Sequence, residues 1–242
     1  MKPETAAKNR EWFEDWANEY DATLGKMKRH HRLLDLAVKM AKVKDGDRVL
    51  DIGCGTGLLS LKFLDKADCR VTAIDSSPEM LKLFEEKIQK FGLEEKIGLR
   101  QVSAEEMDFG PAAFDIIAAT VSLHHVEEKA PVIRKIHDSL ADGGRFVLGD
   151  IDMDTTGPLE DIPRLLGILD YLRDELVLAM EAGGVQAFER MYDNGRKHIL
   201  NDGEYCISFR QWKEVCRDAG FRKVKVRPVK GFERFKVLVA TK

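Results

Sequence analysis

The chain has 242 residues, of which 44% are hydrophobic and 33% are charged, so it can bury one sizeable core within a single large domain. Its formal net charge of −3 comes from 39 basic and 42 acidic residues, which excludes a global attraction to nucleic acid or to an anionic membrane. No stretch approaches the roughly 18 apolar residues of a membrane span, and the charged N-terminus lacks the apolar segment of a signal peptide. We therefore expect a soluble, cytoplasmic protein that does not enter a membrane.

The cysteine pattern argues against a zinc site or a disulfide framework. Cys54, Cys69, Cys206 and Cys216 are scattered along the chain and form no C-x-x-C pair. We expect all of them to be buried free thiols, and we predict no metal site from them.

Two helical segments, at residues 5–20 and 30–42, come first, and we expect residues 1–45 to form a helical lid. From residue 46 to residue 150, short apolar runs alternate with helical patterns, which predicts parallel strands joined by crossover helices. The predicted strands are 48–52, 70–74, 97–102, 114–120 and 144–149. The predicted helices between them are 58–66, 78–91 and 127–140, the last closed by a turn at 142–144.

After the fifth strand the alternation stops. Long helical patterns, such as 162–180, predict a helical cap inserted at residues 151–205. Residues 206–242 then return to the core as a helix at 209–219 and two strands, 223–229 and 235–240, which predict an antiparallel hairpin at one sheet edge. The whole chain is expected to be one α/β domain with a doubly wound, mostly parallel sheet.

Three glycines, Gly53, Gly55 and Gly57, follow the first strand and precede a helix. Glycines there let the backbone turn sharply and approach a ligand, which predicts a nucleotide site. The dinucleotide fingerprint needs a further glycine at position 58 or 60, and a P-loop needs Gly-Lys before Ser or Thr; both are absent. Asp75, 24 residues after Asp51, ends the second strand and could accept two hydrogen bonds from a ribose diol. A ligand with a ribose and no pyrophosphate fits both features.

The pattern Asp51-x-Gly53-x-Gly55-x-Gly57, followed by Asp75, resembles the class I S-adenosylmethionine-dependent methyltransferases, which have a Rossmann-like fold. The segment Thr-Val-Ser-Leu-His-His-Val at 120–126 is similar to the Leu-His-x-Val of the ubiquinone and menaquinone biosynthesis (type 11) group. This resemblance implies S-adenosylmethionine as cofactor, S-adenosylhomocysteine as product, and transfer of the methyl group to a nitrogen or oxygen of a small molecule.

The resemblance also implies roles for individual residues. The carbonyl of Gly53 and neighbouring backbone would hold the methionine ammonium, with Asp51 acting through water, and Asp75 would hold the ribose. Where the family often has an aspartate after the third strand, this chain has Ser103-Ala104-Glu105, which departs from the pattern. The further cofactor contacts that we expect are Tyr20, Gly55, Gly57, Ser76, Met80, Ser103, Ala104, Glu105 and Thr120.

The methyl acceptor is expected at the carboxyl ends of the fourth and fifth strands, where ligands of open parallel sheets lie. Either His124 or His125 could be a general base for an acceptor that must lose a proton, because an imidazole titrates near neutral pH. We prefer His125, since a packing or cofactor-contact role is an alternative for His124. Asp150 begins a run with Asp152 and Asp154 that could bind a cationic amine or a divalent metal; helix capping and solvated charge are the alternative.

Within the cap, Tyr192, His198 and Tyr205 are predicted to contact the acceptor, and a solvated loop is the alternative. Two other functions stay open, as does a homodimer. Basic residues near the C-terminus could serve an RNA or protein substrate, although cations on an edge strand also prevent sheet-to-sheet association. The chain could also be a non-catalytic protein that binds the cofactor.

Overall fold

The computed structural model describes residues 27–158, 160–196 and 204–242. The chain divides into two compact units, one of residues 1–151 and 209–242 and the other of residues 152–208. The predicted helix at 5–20 with its Tyr20, and His198 of the cap, lie outside the described residues. None of the described helices is long and apolar enough to cross a bilayer.

The larger unit is built on a seven-stranded sheet with the strand order β3-β2-β1-β4-β5-β7-β6. The strands are β1 Arg48–Ile52, β2 Arg70–Asp75, β3 Ile97–Gln101, β4 Phe114–Thr120, β5 Leu140–Ile151, β6 Lys223–Val229 and β7 Phe232–Thr241. Strands β1 to β5 pair in parallel, and β7 runs antiparallel to both β5 and β6. This confirms the predicted doubly wound sheet with an antiparallel hairpin at its C-terminal edge.

Helices flank the sheet close to the predicted positions. They are α1 Lys28–Ala41, α2 Leu58–Lys66, α3 Pro78–Phe91, α4 Lys129–Ser139 and α6 Phe209–Asp218; α5, Ile162–Asn194, lies in the smaller unit. Local signals explain the bounds of α3. Ser77 Oγ accepts the N–H of Met80 at 3.2 Å, Pro78 occupies the first turn, and Gly92 ends the helix at φ 63°.

The start of β5 differs from the prediction. The sequence predicted a helix-closing turn at 142–144, whereas the strand already begins at Leu140. The register with β4 shifts between the pairs Phe114 with Leu140 and Ile116 with Arg145, and Gly143 lies within that irregularity at φ 75°. Gly143 therefore lies at an irregularity within a paired strand, where glycine adopts such a φ at little cost.

Buried hydrophobic side chains lie on both faces of the central strands. Val49, Leu50, Ile116 and Ile117 have no exposed surface, as expected where helices cover both sides of a parallel sheet. The four cysteines are buried and free, as predicted. By contrast, β6 is an edge strand with an alternating pattern of exposed residues, which include Lys223, Lys225 and Arg227. Such cations oppose association between sheet edges.

The smaller unit contains the long helix α5, Ile162–Asn194, which is interrupted at Gly184 by a non-helical φ of 66° and ψ of −155°. Asp161 caps its start by accepting the N–H of Arg164 at 3.2 Å. The two ends of this unit are joined, because the backbone N–H of Thr155 donates to the carbonyl of Cys206 at 3.0 Å. The N–H of Cys206 in turn donates to Thr155 Oγ1 at 2.9 Å. These bonds tie the ends of the segment together.

Candidate active site

The glycine loop, residues 53–57, connects β1 to α2. Gly53, Gly55 and Gly57 have φ values of 67°, 51° and 87°, in the left-handed region that other residues rarely adopt. A Cβ on Gly53 would lie 2.4 Å from the Cβ of Ser122, and one on Gly57 would lie 2.1 Å from the ring of Phe84. A Cβ on Gly55 would meet nothing within 4 Å. Two glycines therefore permit tight packing, while Gly55 borders open space that a ligand could fill.

Asp75 connects the glycine loop to the end of β2 through hydrogen bonds. Its Oδ2 accepts the N–H of Gly55 at 2.8 Å, and its Oδ1 accepts the N–H of Ser77 at 2.9 Å. Burial raises the pKa of Asp75, and these backbone hydrogen bonds partly oppose the rise. Because each carboxylate oxygen has a further lone pair, Asp75 can still accept hydrogen bonds from a diol.

Asp51 lies at the carboxyl end of β1 and is 1% exposed. Ser60 Oγ, in the first turn of α2, donates a hydrogen bond to Asp51 Oδ2 at 2.6 Å. Burial raises the pKa of Asp51 to about 7, the bond from Ser60 opposes the rise, and the charge of Asp75 adds to it. Sequence reasoning did not select Ser60, although its position in the turn directly after the loop was a usable signal.

The other predicted cofactor residues lie at or after the carboxyl ends of β2, β3 and β4, at the same edge of the sheet as the loop. They are Ser76, Met80, Ser103, Ala104, Glu105 and Thr120. Ser76 is exposed and Met80 is buried. Ser103 Oγ accepts the N–H of Glu106 at 3.2 Å, which stabilises a turn after β3. The parallel strands thus bring these separate segments to one edge.

A short turn follows β4, and we call residues 123–125 the histidine turn; it is a 3-10 helix. The chain enters it through Val121, whose φ of 52° is unusual for a β-branched residue. The N–H of Val121 donates to the carbonyl of Gly149 at 2.8 Å, and Ser122 Oγ donates to the carbonyl of Ile52 at 2.9 Å. The entry to the histidine turn is therefore anchored to both β5 and β1.

The histidine turn brings the imidazole of His124 within hydrogen-bond distance of the buried carboxylate of Asp150. His124 Nδ1 lies 2.8 Å from Asp150 Oδ1, and these side chains are only 5% and 1% exposed. The N–H of Ile151 also donates to Asp150 Oδ1 at 2.9 Å, whereas Asp150 Oδ2 has no hydrogen-bond partner among the described residues. The ring of the half-buried His125 contacts that of His124, with 4.1 Å between the centroids and 55° between the ring planes. Asp150 is thus a buried partner of His124, and the solvated-charge alternative is wrong for it.

The remaining predicted residues of this region belong to the smaller unit. Asp152 is half-buried, and Asp154 is exposed and accepts the N–H of Thr156 at 2.9 Å, so it caps a local turn. Tyr192 lines a cavity of about 550 Å³ between the two parts of α5, with Leu172, Leu176 and Phe188 among its neighbours. Tyr205 is half-buried and does not line that cavity.

The charged groups around the glycine loop indicate which kind of nucleotide ligand it can bind. The loop contains no lysine or arginine, while Asp51 and Asp75 place two carboxylates beside it. Lys87 Nζ donates to the carbonyl of Thr56 at 2.9 Å, but the two carboxylates make the loop less favourable for a phosphate than for a cationic group, which would stabilise their ionised form. The open space at Gly55 and the spare lone pairs of Asp75 therefore fit a ligand that has a ribose and a positive charge. S-adenosylmethionine has both.

Comparison with known proteins agrees with this chemistry. Residues 49–144 match the methyltransferase domain family. The phosphatidylethanolamine N-methyltransferase of Cereibacter sphaeroides is 33% identical over 154 residues, which cover 64% of this chain and 73% of that protein. The demethylmenaquinone methyltransferase of Alkalihalophilus pseudofirmus is 25% identical over 224 residues, 90% of this chain and 89% of that protein. The chain spans only about half the length of several other curated relatives, from 44% to 56%.

The fold is also found in solved structures. Phosphoethanolamine N-methyltransferase 2 of Haemonchus contortus, solved in complex with S-adenosyl-L-methionine, aligns with a TM-score of 0.62 at 16% identity. The alignment covers 95% of this chain and 60% of that chain. The relatives in sequence, together with the glycine loop and Asp75, show that the chain belongs to the class I S-adenosylmethionine-dependent methyltransferases, with S-adenosylmethionine as cofactor.

Proposed function

We propose that this protein transfers a methyl group from S-adenosylmethionine to a nitrogen or oxygen of a small molecule, leaving S-adenosylhomocysteine. The proposal rests on the buried hydrogen bond between His124 and Asp150, at the same sheet edge as the glycine loop. A base is needed when the acceptor atom must lose a proton, as a neutral amine or a hydroxyl must. The bound cofactor supplies a methyl group on a good leaving group, so alignment of the acceptor provides much of the acceleration.

Four residues at the loop are proposed to hold the cofactor. Asp75 accepts the ribose hydroxyls with its spare lone pairs, and Ser76 and Met80 border the adenine. Asp51 balances the positive charge of the methionine ammonium, which favours its ionised form. The support is the hydrogen bond between Gly55 and Asp75 and the open space beside Gly55.

His124 is our proposed general base. When Asp150 accepts the Nδ1–H, the tautomer of the imidazole is fixed and Nε2 keeps a lone pair. The acceptor's N–H or O–H proton moves to Nε2, and the carboxylate stabilises the resulting imidazolium. The sequence favoured His125; its half-buried ring, which lies against that of His124, is instead proposed to contact the acceptor.

The alternatives have less support. The names of the relatives refer to a lipid amine and to a demethylated quinone, which supports a small molecule over an RNA or protein substrate. The pair of His124 and Asp150 at this sheet edge supports a catalytic protein over a non-catalytic one.

Incubation of the protein with 13C-methyl-labelled S-adenosylmethionine and cell extract tests the proposal. We expect one product heavier by a labelled methyl group, and the 13C chemical shift of that group distinguishes oxygen, nitrogen and carbon acceptors. Label found only on carbon would contradict the proposed acceptor atom. Failure to bind S-adenosylmethionine would contradict the function altogether.

Replacing Asp75 by alanine should weaken the binding of S-adenosylmethionine by roughly 1.5 to 3 kcal/mol, the range for hydrogen bonds to a charged group. That corresponds to about a 10- to 150-fold rise in Kd, measurable by calorimetry. Asp65→Ala, at an exposed position on α2, is the control and should leave Kd unchanged. An unchanged Kd for Asp75→Ala would mean that the ribose contact is wrongly assigned.

The pKa of Asp51 predicts how cofactor binding depends on pH. Because its pKa is about 7 without cofactor and an ammonium favours the carboxylate, binding releases a proton below pH 7. Affinity should therefore rise by up to about tenfold per pH unit as pH approaches 7 and then level off, until the cofactor's own amino group titrates near about 8. Calorimetry across this range tests it, and Asp51→Asn should abolish the rise.

The same group predicts the opposite trend for the stability of the cofactor-free protein. Its folded pKa of about 7 exceeds the unfolded value of 3.8, so the folded state binds more protons between these pH values. The free energy of unfolding should therefore fall as pH rises through this window, and Asp51→Asn should remove this fall. If neither the stability nor the cofactor affinity of the wild-type protein changed with pH, the pKa assigned to Asp51 would be wrong.

A further inference from the structure

Lys129 is the first residue of α4, and its side chain is buried, with 7% exposed. The ammonium donates to the carbonyl of His124 at 3.4 Å and to the carbonyl of Val126. It also lies 5.7 Å from the centre of the ring of Trp212, which is itself buried on α6. A cation from the next helix thus contacts the backbone on both sides of His125.

This placement has a cost in free energy. A buried ammonium loses its hydration, and a positive charge in the first turn of a helix opposes the helix dipole. A methionine of similar length could pack against Trp212 without either cost. An ammonium can bind the pair of carbonyl groups, which a methionine could not do.

Those carbonyls belong to a segment with little stability of its own. A 3-10 helix of three residues has few internal hydrogen bonds, here the N–H of His125 to the carbonyl of Ser122 and the N–H of Val126 to that of Leu123. The entry is anchored through Val121 and Ser122 to β5 and β1. Lys129 anchors the exit, so that both ends of the histidine turn are fixed.

We propose that Lys129 is a positioning residue for methyl transfer. By binding the carbonyls of His124 and Val126, it fixes the backbone of the histidine turn, so that the His124 imidazole stays hydrogen-bonded to Asp150. This inference rests on the proposed function, because it takes His124 as the base. Lys129 itself does not contact the acceptor; its effect on turnover passes through the backbone of the turn.

The test compares Lys129→Met with Arg134→Met, which removes a positive charge from an exposed position of the same helix. Amide hydrogen exchange, followed by NMR, reports on the turn without any need for activity. In Lys129→Met the amides of His125 and Val126 should exchange at least tenfold faster, while those of β4 stay protected. In the same variant kcat should fall 10- to 100-fold, with the Kd for S-adenosylmethionine and the KM values within twofold of wild type. Arg134→Met should change neither exchange nor kcat.

Lys129→Gln retains an N–H donor, so its amide exchange rates and its kcat should lie between those of Lys129→Met and wild type. If Lys129→Met does not fold, Lys129→Gln is compared with wild type in its place. Unchanged exchange in the turn would overturn the proposed anchor, whatever the turnover. Faster exchange with normal kcat would overturn the link to catalysis. If His124→Gln has normal turnover, the base assignment fails, and the exchange result still decides separately whether Lys129 anchors the turn.

Discussion

Replacing His124 by glutamine is expected to lower kcat by roughly 10²- to 10⁴-fold, the usual contribution of a general base, while the Kd for S-adenosylmethionine changes less than twofold. Glutamine has a similar reach and can still hydrogen-bond Asp150, but it cannot take a proton from the acceptor. Steady-state kinetics with the identified acceptor and calorimetry with the cofactor separate the two effects. Asp150→Asn should also lower kcat, because an amide no longer stabilises the imidazolium.

Two matched histidine variants make the assignment specific. His137→Gln alters a histidine on α4 that the proposed site does not include, and it should retain wild-type turnover. His125→Gln should reduce turnover less than His124→Gln does. The reverse order, with the larger loss at His125, would show that the His125 imidazole is the base and that the bond between His124 and Asp150 serves only the fold.

Replacing Gly57 by alanine is expected to destabilise the fold by about 2 to 5 kcal/mol. The new methyl group would lie 2.1 Å from the ring of Phe84, which has no exposed surface and is packed on all sides. Alanine must also adopt a φ of 87°, a conformation that costs a further 1 to 2 kcal/mol or so. Urea denaturation of the cofactor-free protein measures the loss.

Gly55→Ala is the matched control, with the opposite expected balance. Its φ of 51° also strains an alanine, but nothing lies within 4 Å of the new methyl group, so the loss of stability should be only about 1 to 2 kcal/mol. Because that methyl enters the open space proposed for the cofactor, the Kd for S-adenosylmethionine should rise at least tenfold. If Gly55→Ala bound the cofactor normally, the cofactor would not occupy the open space at Gly55, and its proposed position would be wrong.

The sequence alone predicted most of the sheet because its signals are local. The bounds of β1, β4, α2 and α3 agree with the prediction, since each element starts or ends at an apolar run, a capping residue or a glycine. Ser77 with Pro78 is such a start signal for α3. The start of β5 was missed because a strand also depends on its partner: the pairing of Leu140 with Phe114 joins residues that are distant in the chain.

The cofactor site could also be recognised from sequence. Gly53, Gly55 and Gly57 are required by the backbone conformation of one loop, and Asp75 follows at a spacing set by one strand-helix-strand unit. The contact between Ser60 and Asp51 was not predicted, although the two residues are only 9 positions apart, because it depends on how α2 packs onto β1.

The acceptor side required the tertiary structure. His124 and Asp150 are 26 positions apart and meet because β4 and β5 are neighbouring parallel strands whose carboxyl ends lie together. Adjacent residues of a 3-10 turn point in directions about 120° apart, so only the folded turn decides which of the two histidines faces the carboxylate. The sequence by itself determined the methyl donor, through residue types that one loop requires. The tertiary structure decided which imidazole is paired with Asp150, because that choice depends on contacts between separate strands.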